Sequence, residues 1–371
     1  MLEELRKKKE NLKKTEKPKE IKIHKKIVED VKEFEKLLKE TNFEDYYEII
    51  KPYTFKSTII SLKKEEIEDL FKFGNEFKKN KKKIEKISEN LEILGKEIEK
   101  ESKKNLNIKN GLFIRISTIS PKDAVLTHKD FPKNIFEAYK KLLKEEEDWK
   151  KKGENFIMNE EIRRIHALYI ASTNTMKINN GIEGIKLLIE SERTQQEFKK
   201  FIKYGEIEYP ISLIIREFVN FDVEMEFRGF IYNTKNDENS IKKLTGLTQY
   251  NNFCYFPKLI LKENLIKNLI EKFVNEEMIP NIKLENFVID IVLIENEKNE
   301  YEVKIIEINP FGEFCGGGMF NWDFDFQVLT GKKPFEFRIQ KEIPKMALKQ
   351  ISKEWQPFLY PENFLTSEEN K

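Results

Sequence analysis

The chain has 371 residues, 39% hydrophobic and 36% charged, so it is too long for one average domain and too apolar to be wholly disordered. Its 68 Lys and Arg against 66 Asp and Glu leave a formal charge of +2, and no global basic field recommends nucleic acid as the partner. Two cysteines, Cys254 and Cys315, exclude a disulfide framework and a cysteine-rich zinc site, and no run approaches the roughly 18 apolar residues of a membrane span. The start, MLEELRKKKENLKK, lacks the apolar core of a signal peptide, so a soluble, monomeric, cytoplasmic protein with no membrane partner is expected.

In chain order, residues 1–40 read as a charged extension of Lys and Glu blocks. An N-terminal lobe with helical insertions is expected over 41–210. Within it, Ile84, Ile87, Leu91 and Leu94 form an amphipathic helix stripe. LFIRIS then alternates like a short strand and runs into the turn signal SPKDA. Helical patterns occupy about 134–151, 160–172, 181–190 and 194–203. After Pro210 the chain reads as strands ISLIIREFV, MEFRGFIY and KLTGLT, helix KENLIKNLIEKFVNEE, then strands FVIDIVLI and YEVKIIEIN. Tight polar connections imply an α+β fold in which an antiparallel sheet carries helices on one side. This C-terminal lobe is placed at 211–330 and a tail at 331–371. No internal repeat and no glycine-rich phosphate loop is present.

The last two strands carry the most informative spacing. Asp290 and Glu307 are symmetric about the point between Lys298 and Asn299, inside the turn ENEKNE. A regular hairpin sets them opposite one another with Cβ atoms roughly 5 Å apart. Asn309 shares the face of Glu307, so two carboxylates and one amide converge, a donor set suited to Mg²⁺ with substrate phosphates completing its shell. The competing reading is a solvent-facing strand surface. Against it, Val288, Ile289, Ile291, Val292, Ile305, Ile306 and Ile308 surround the carboxylates with apolar residues. Pro310 ends the strand, and Phe311 to Gly318 supplies a flexible loop with three successive glycines.

The same symmetry applied to IREFVNFDVEMEFRGF places Arg216 and Arg228 face to face across Asp222. Two guanidiniums there need an anion or a carboxylate between them. A salt bridge to Glu226 or Glu217 would serve, as would phosphate oxygens, which match the planar fork of arginine.

These residues, from FEDYYEIIKPYTFKSTIISL through RISTISPKDA and LIIREFVNFDVEMEFRGFIY to VIDIVLI, IIEINPFGEF and FNW, resemble the cell division cycle protein 123 family. The resemblance covers about Phe43 to Trp322 and implies an ATP-grasp fold, two lobes with antiparallel sheets, flanking helices and a nucleotide cleft between them. It implies ATP and Mg²⁺ as cofactors. By it, Lys122 is a phosphate-contacting lysine, Arg216, Glu217 and Phe218 match the segment that holds adenine and ribose, and Arg228 and Gln249 match further nucleotide contacts. Asp290, Glu307 and Asn309 match the metal-binding acid, acid and amide. The sequence departs from the family where Glu307 to Pro310 replaces Asp-Phe-Asn-Pro, where the aromatic residue usual before SPKDA is missing, at Glu190, and at Cys315 to Gly318.

The resemblance implies a chaperone that uses ATP to assemble eukaryotic translation initiation factor two through its gamma subunit. Two alternatives stand beside it: an ATP-grasp ligase acting on a protein, a peptide or an RNA end, and a nucleotide-dependent binding module without turnover. His24, His128 and His166 give no serine–histidine–acid order, so hydrolase chemistry is unsupported.

Overall fold

The computed structural model describes residues 37–80, 86–153, 158–236, 239–298 and 300–365. Residues 1–36 of the charged extension and Ile84 of the expected stripe lie outside them.

Alternating apolar segments build two sheets. The smaller has β1 (Ser57–Ser61) and β2 (Leu112–Ile116) on either side of β3 (Ser212–Glu217), both antiparallel to it. β3 is central because Ser212 to Arg216 are all buried, as befits a strand covered on both faces. Helices α2 (Lys64–Asn80), α3 (Glu89–Asn105), α6 (Gly181–Glu190) and α7 (Glu192–Tyr204) pack against this sheet, whereas α1 (Phe43–Ile50), α4 (Phe131–Lys151) and α5 (Glu160–Thr175) bury their apolar residues in the main core shared with the larger sheet. Several begin at capping residues, since Ser88, Asn159, Asn180 and Ser191 each accept a backbone N–H three residues on. Ile67, Leu70, Leu91, Leu94, Ile98, Leu188 and Phe198 pack with Ile114 and Leu213 as one apolar core.

The larger sheet runs in the order β7 (Tyr301–Pro310), β6 (Phe287–Glu295), β4 (Glu226–Asn236), β5 (Asn239–Gln249), β8 (Glu336–Arg338). Its pairs are antiparallel except β5 with β8. Helix α8 (Glu263–Phe273) buries Ile266 and Ile270 in the main core with Phe227, Ile231 and Ile289.

The expected hairpin between β3 and β4 does not form, and the two strands lie in different sheets. The intervening residues are not a polar turn: Val223, Glu224 and Met225 are 2–3% exposed and form a helical turn whose Glu224 N–H is accepted by Asp222. Burying this apolar connection carries the chain from one sheet to the other. The segment placed as a tail is built into the same body up to Leu359. Ile339, Ala347, Ile351 and Leu359 join the main core, Trp355 and Phe358 pack on Phe131, and Arg164 binds the Leu359 carbonyl at 2.8 Å.

Candidate functional site

The β6–β7 hairpin places its acids by means of a bulge. Near the turn Ile291 pairs with Ile305, whereas one step further Asp290 pairs with Glu307, so Ile306 is an extra residue on β7. Without it Asp290 would oppose Ile306, and Glu307 would sit on the other face of the sheet. The expected opposition of Asp290 and Glu307 is therefore present, but the bulge produces it, because the pairing nearest the turn is offset by one residue.

Asp290 is almost fully buried, and Arg228 on β4, its Cα partner, donates to it twice, Nε to Oδ1 and Nη2 to Oδ2, both at 2.7 Å. Asn309 donates to Asp290 Oδ2 at 3.1 Å and to Glu307 Oε1 at 3.4 Å. The other Glu307 oxygen accepts from Arg115 Nη1 of β2 at 2.6 Å. The two arginines expected to face each other are thus apart. The carboxylate that answers Arg228 is Asp290, while Arg216 crosses between sheets, donating to the Ile306 carbonyl at 2.8 Å and to Thr54 Oγ1 at 2.6 Å. The bulge that turns Glu307 toward Asp290 also presents its carbonyl to Arg216.

Lys122 follows β2 in the turn signal and donates to the Tyr250 hydroxyl at 3.0 Å. The Tyr250 ring lies 5.0 Å from both the Lys122 ammonium and the Arg228 guanidinium. Burial opposes the Lys122 charge, but Tyr250, Glu307 and Glu226 more than offset it, and its pKa is raised. Burial likewise opposes the Glu307 charge, yet Arg115, with Lys122, Arg228 and Arg193 behind it, holds that carboxyl far below its usual range. For Glu226 burial prevails, reinforced by Asp290 and Glu307, and pushes the carboxyl up to about 7. Asp290 keeps Arg228 charged well above the ordinary arginine range although burial opposes it.

A cavity of ≈ 380 Å³ adjoins this cluster. Lys122, Arg216, Glu226 and Tyr250 form its polar end, and Phe55, Phe113, Phe218, Leu168, Met176 and Trp355 line the apolar remainder. Of the residues singled out in the sequence, Lys122, Arg216, Glu217 and Phe218 line the cavity. Arg228, Asp290, Glu307 and Asn309 make the polar cluster beside it. Gln249 is turned into the protein: its amide donates to the Asn251 and Cys254 carbonyls, both at 2.8 Å, and accepts the Gln340 N–H at 2.6 Å. Glu217 accepts the Asn107 N–H at 2.7 Å.

The glycine loop is held in place. Trp322 Nε1 donates to the Cys315 carbonyl and Arg228 Nη1 to that of Gly316, both at 2.6 Å. Gly318 has φ +60°, and a Cβ there would lie 2.5 Å from Thr248 Cγ2, so no other residue fits. Sequence reasoning passed over Arg115 and Tyr250. The signal for Arg115 was available, because a lone arginine inside the apolar strand LFIRIS needs a buried partner, as Arg216 does.

The donor set suits a hard cation. Two opposed carboxylates share one amide contact, and a half-turn of the Asn309 amide presents its oxygen in place of its N–H₂. Among the described residues no group of three or more His, Cys, Asp or Glu side chains could hold an ion. A cation here would have to draw on Asp290, both of whose oxygens already accept from Arg228, and on Glu307 and Asn309, with further oxygens from a ligand.

The sequence signature described as D123 matches residues 166–366, more than half of the chain. The chain belongs to the D123 family. It is 29% identical over 290 residues to a CDC123-like protein of Acanthamoeba polyphaga mimivirus, covering 76% of this chain and 66% of that protein. It is also 29% identical over 210 residues to a protein of Vanderwaltozyma polyspora named translation initiation factor eIF2 assembly protein, covering 52% of each. The chain thus spans only about half to two thirds of these curated relatives. The solved structure of Cdc123 from Schizosaccharomyces pombe superposes with a TM-score of 0.55 at 15% identity, over 83% of this chain and 98% of that one. That likeness shows the fold. The D123 match takes in Arg216, Arg228, Asp290, Glu307 and Asn309, whereas Arg115 and Lys122 precede it.

Proposed function

We propose that this D123-family chain is an ATP-grasp protein that binds Mg-ATP in the cavity and serves the assembly of translation initiation factor eIF2, contacting its gamma subunit. The observation that carries the nucleotide reading is a surplus of buried positive charge. Lys122 and Arg216 line the polar end and Arg115 and Arg228 stand beside it, four cations against the carboxylates of Asp290, Glu307 and Glu226, the last pushed up to about 7 by burial. Arg216 is 2% exposed with its Nε unpaired among the described residues, and its neighbour Arg115 adds to burial in lowering its pKa to about 10. Such a group gains from an anion. A polyphosphate supplies that anion, and the apolar remainder of the cavity suits a flat base.

In this reading Phe55, Phe113 and Phe218 flank the base, Lys122 and Arg216 meet phosphate oxygens, and Asp290, Glu307 and Asn309 hold magnesium. The ion would offset phosphate charge and orient the chain of phosphates. The eIF2 role rests on the names of the relatives, and the gamma subunit on the family resemblance. Calorimetry with ATP, with and without Mg²⁺, tests the first part: binding that is stronger with Mg²⁺ and lost in Lys122→Ala supports it, and absence of binding by the native chain rejects it. Capture of purified eIF2 gamma subunit on the immobilised chain, with and without Mg-ATP, tests the second, which fails if no complex forms in either condition.

A further inference from the structure

We infer that Arg115 is a positioning residue for the divalent cation, presenting one oxygen of Glu307 by occupying the other; this rests on the Mg-ATP reading above. Arg115 is 3% exposed on β2 of the smaller sheet, yet its guanidinium ends on a carboxylate of the larger one. It is held at two points, Nε donating to its own Ile116 carbonyl at 3.2 Å and Nη1 to Glu307 Oε2 at 2.6 Å. A fork fixed at both ends has one orientation, which a flexible ammonium would not keep.

The division of Glu307 is the informative feature. Oε2 belongs to Arg115, while among the described residues Oε1 has only the long 3.4 Å contact with Asn309, on the side shared with Asp290. One oxygen is therefore anchored and the other is left on the face where the cation's remaining ligands stand. A bond made only to hold the sheets together could end anywhere on β7, as the one from Arg216 to the Ile306 carbonyl does.

The test is calorimetric titration of ATP into the full chain in Mg²⁺ and in EDTA, comparing native protein with Arg115→Gln and Arg115→Lys, each checked for cooperative melting. Loss of a partner that orients a metal ligand costs about 10- to 100-fold in metal affinity, so Arg115→Gln is expected to lose about that much of the Mg²⁺ enhancement while affinity in EDTA changes less than about threefold. Arg115→Lys, which keeps the charge without the fork, is expected to fall between the two. Unchanged enhancement in Arg115→Gln, or an equal loss in both buffers, overturns the assignment. Should Arg115→Gln not fold, Arg115→Lys decides, and native-like enhancement in it overturns the assignment. Native protein that binds ATP in neither buffer overturns the Mg-ATP reading as well, which separates the two failures.

Discussion

Arg228 and Asp290 face each other across the β4–β6 pair and are joined by two hydrogen bonds of 2.7 Å, with Asp290 only 1% exposed. The remaining Arg228 nitrogen binds the Gly316 carbonyl. Arg228 therefore fixes a carboxylate and a loop at the same time, and any phosphate it meets shares a guanidinium already oriented by both.

Removing one member of this pair leaves a buried charge, which costs about 3–5 kcal/mol. Asp290→Ala is expected to lower unfolding stability by that order, and Arg228→Met similarly. The double variant Arg228→Met/Asp290→Ala should be less destabilised than the sum of the two singles. Urea denaturation of the four proteins measures this coupling, and additive losses would contradict it.

Gln249 supplies a different outcome from the one its family match implies. Its amide satisfies two carbonyls and one backbone N–H, and each group left unpaired costs about 1–3 kcal/mol. Gln249→Leu should therefore show a marked fall in melting temperature, with ATP affinity unchanged in the fraction that remains folded. Reduced ATP affinity at native stability would instead make Gln249 a direct nucleotide contact.

Two buried groups oppose each other in pH dependence. His166, both of whose ring nitrogens lack hydrogen-bond partners among the described residues, is held neutral by burial, its pKa lowered from 6.5 to about 4. The unfolded chain takes up that proton first, so His166 removes stability as pH falls from 6.5 toward 4. Glu226 is raised from 4.5 to about 7. Here the folded chain keeps its proton longer, so stability is lost as pH rises from 4.5 toward 7. Each effect amounts to about 3 kcal/mol across its window. Between pH 4.5 and 6.5 they largely cancel. Relative to the native chain, His166→Phe should make stability fall more steeply with rising pH, and Glu226→Gln less steeply. Urea unfolding at pH 4.5, 5.5 and 6.5 reads both slopes, and parallel profiles in the two variants would refute the assignment.

Trp355 brings the C-terminal segment to the cavity wall, together with Ile351 and Ser352. Trp355→Ala should weaken ATP binding by about tenfold, equivalent to about 1.4 kcal/mol. ATP should also perturb the tryptophan fluorescence of the native chain but much less that of Trp355→Phe. An identical fluorescence response in both would place the base elsewhere.

The apolar run FVIDIVLI, the alternation in YEVKIIEIN and the stripes of the helices are local properties, and they determined these elements from sequence alone. The pairing of Asp290 with Glu307 agrees with the symmetry of the sequence only because of the bulge at Ile306, since the register set by the turn is offset by one residue and would have put Glu307 on the other face. What neighbours in sequence could not decide was which sheet each strand joins. Arg216 and Arg228 look like partners across Asp222 until Val223 and Met225 are buried, and that burial depends on residues far away in the chain. For the same reason Asp290 rather than Glu226 answers Arg228, and Arg115, 192 residues from Glu307, becomes its partner. The sequence supplied the charges of the site; only tertiary packing, which excludes water and forces each buried charge to find an opposite one, decided how they are paired.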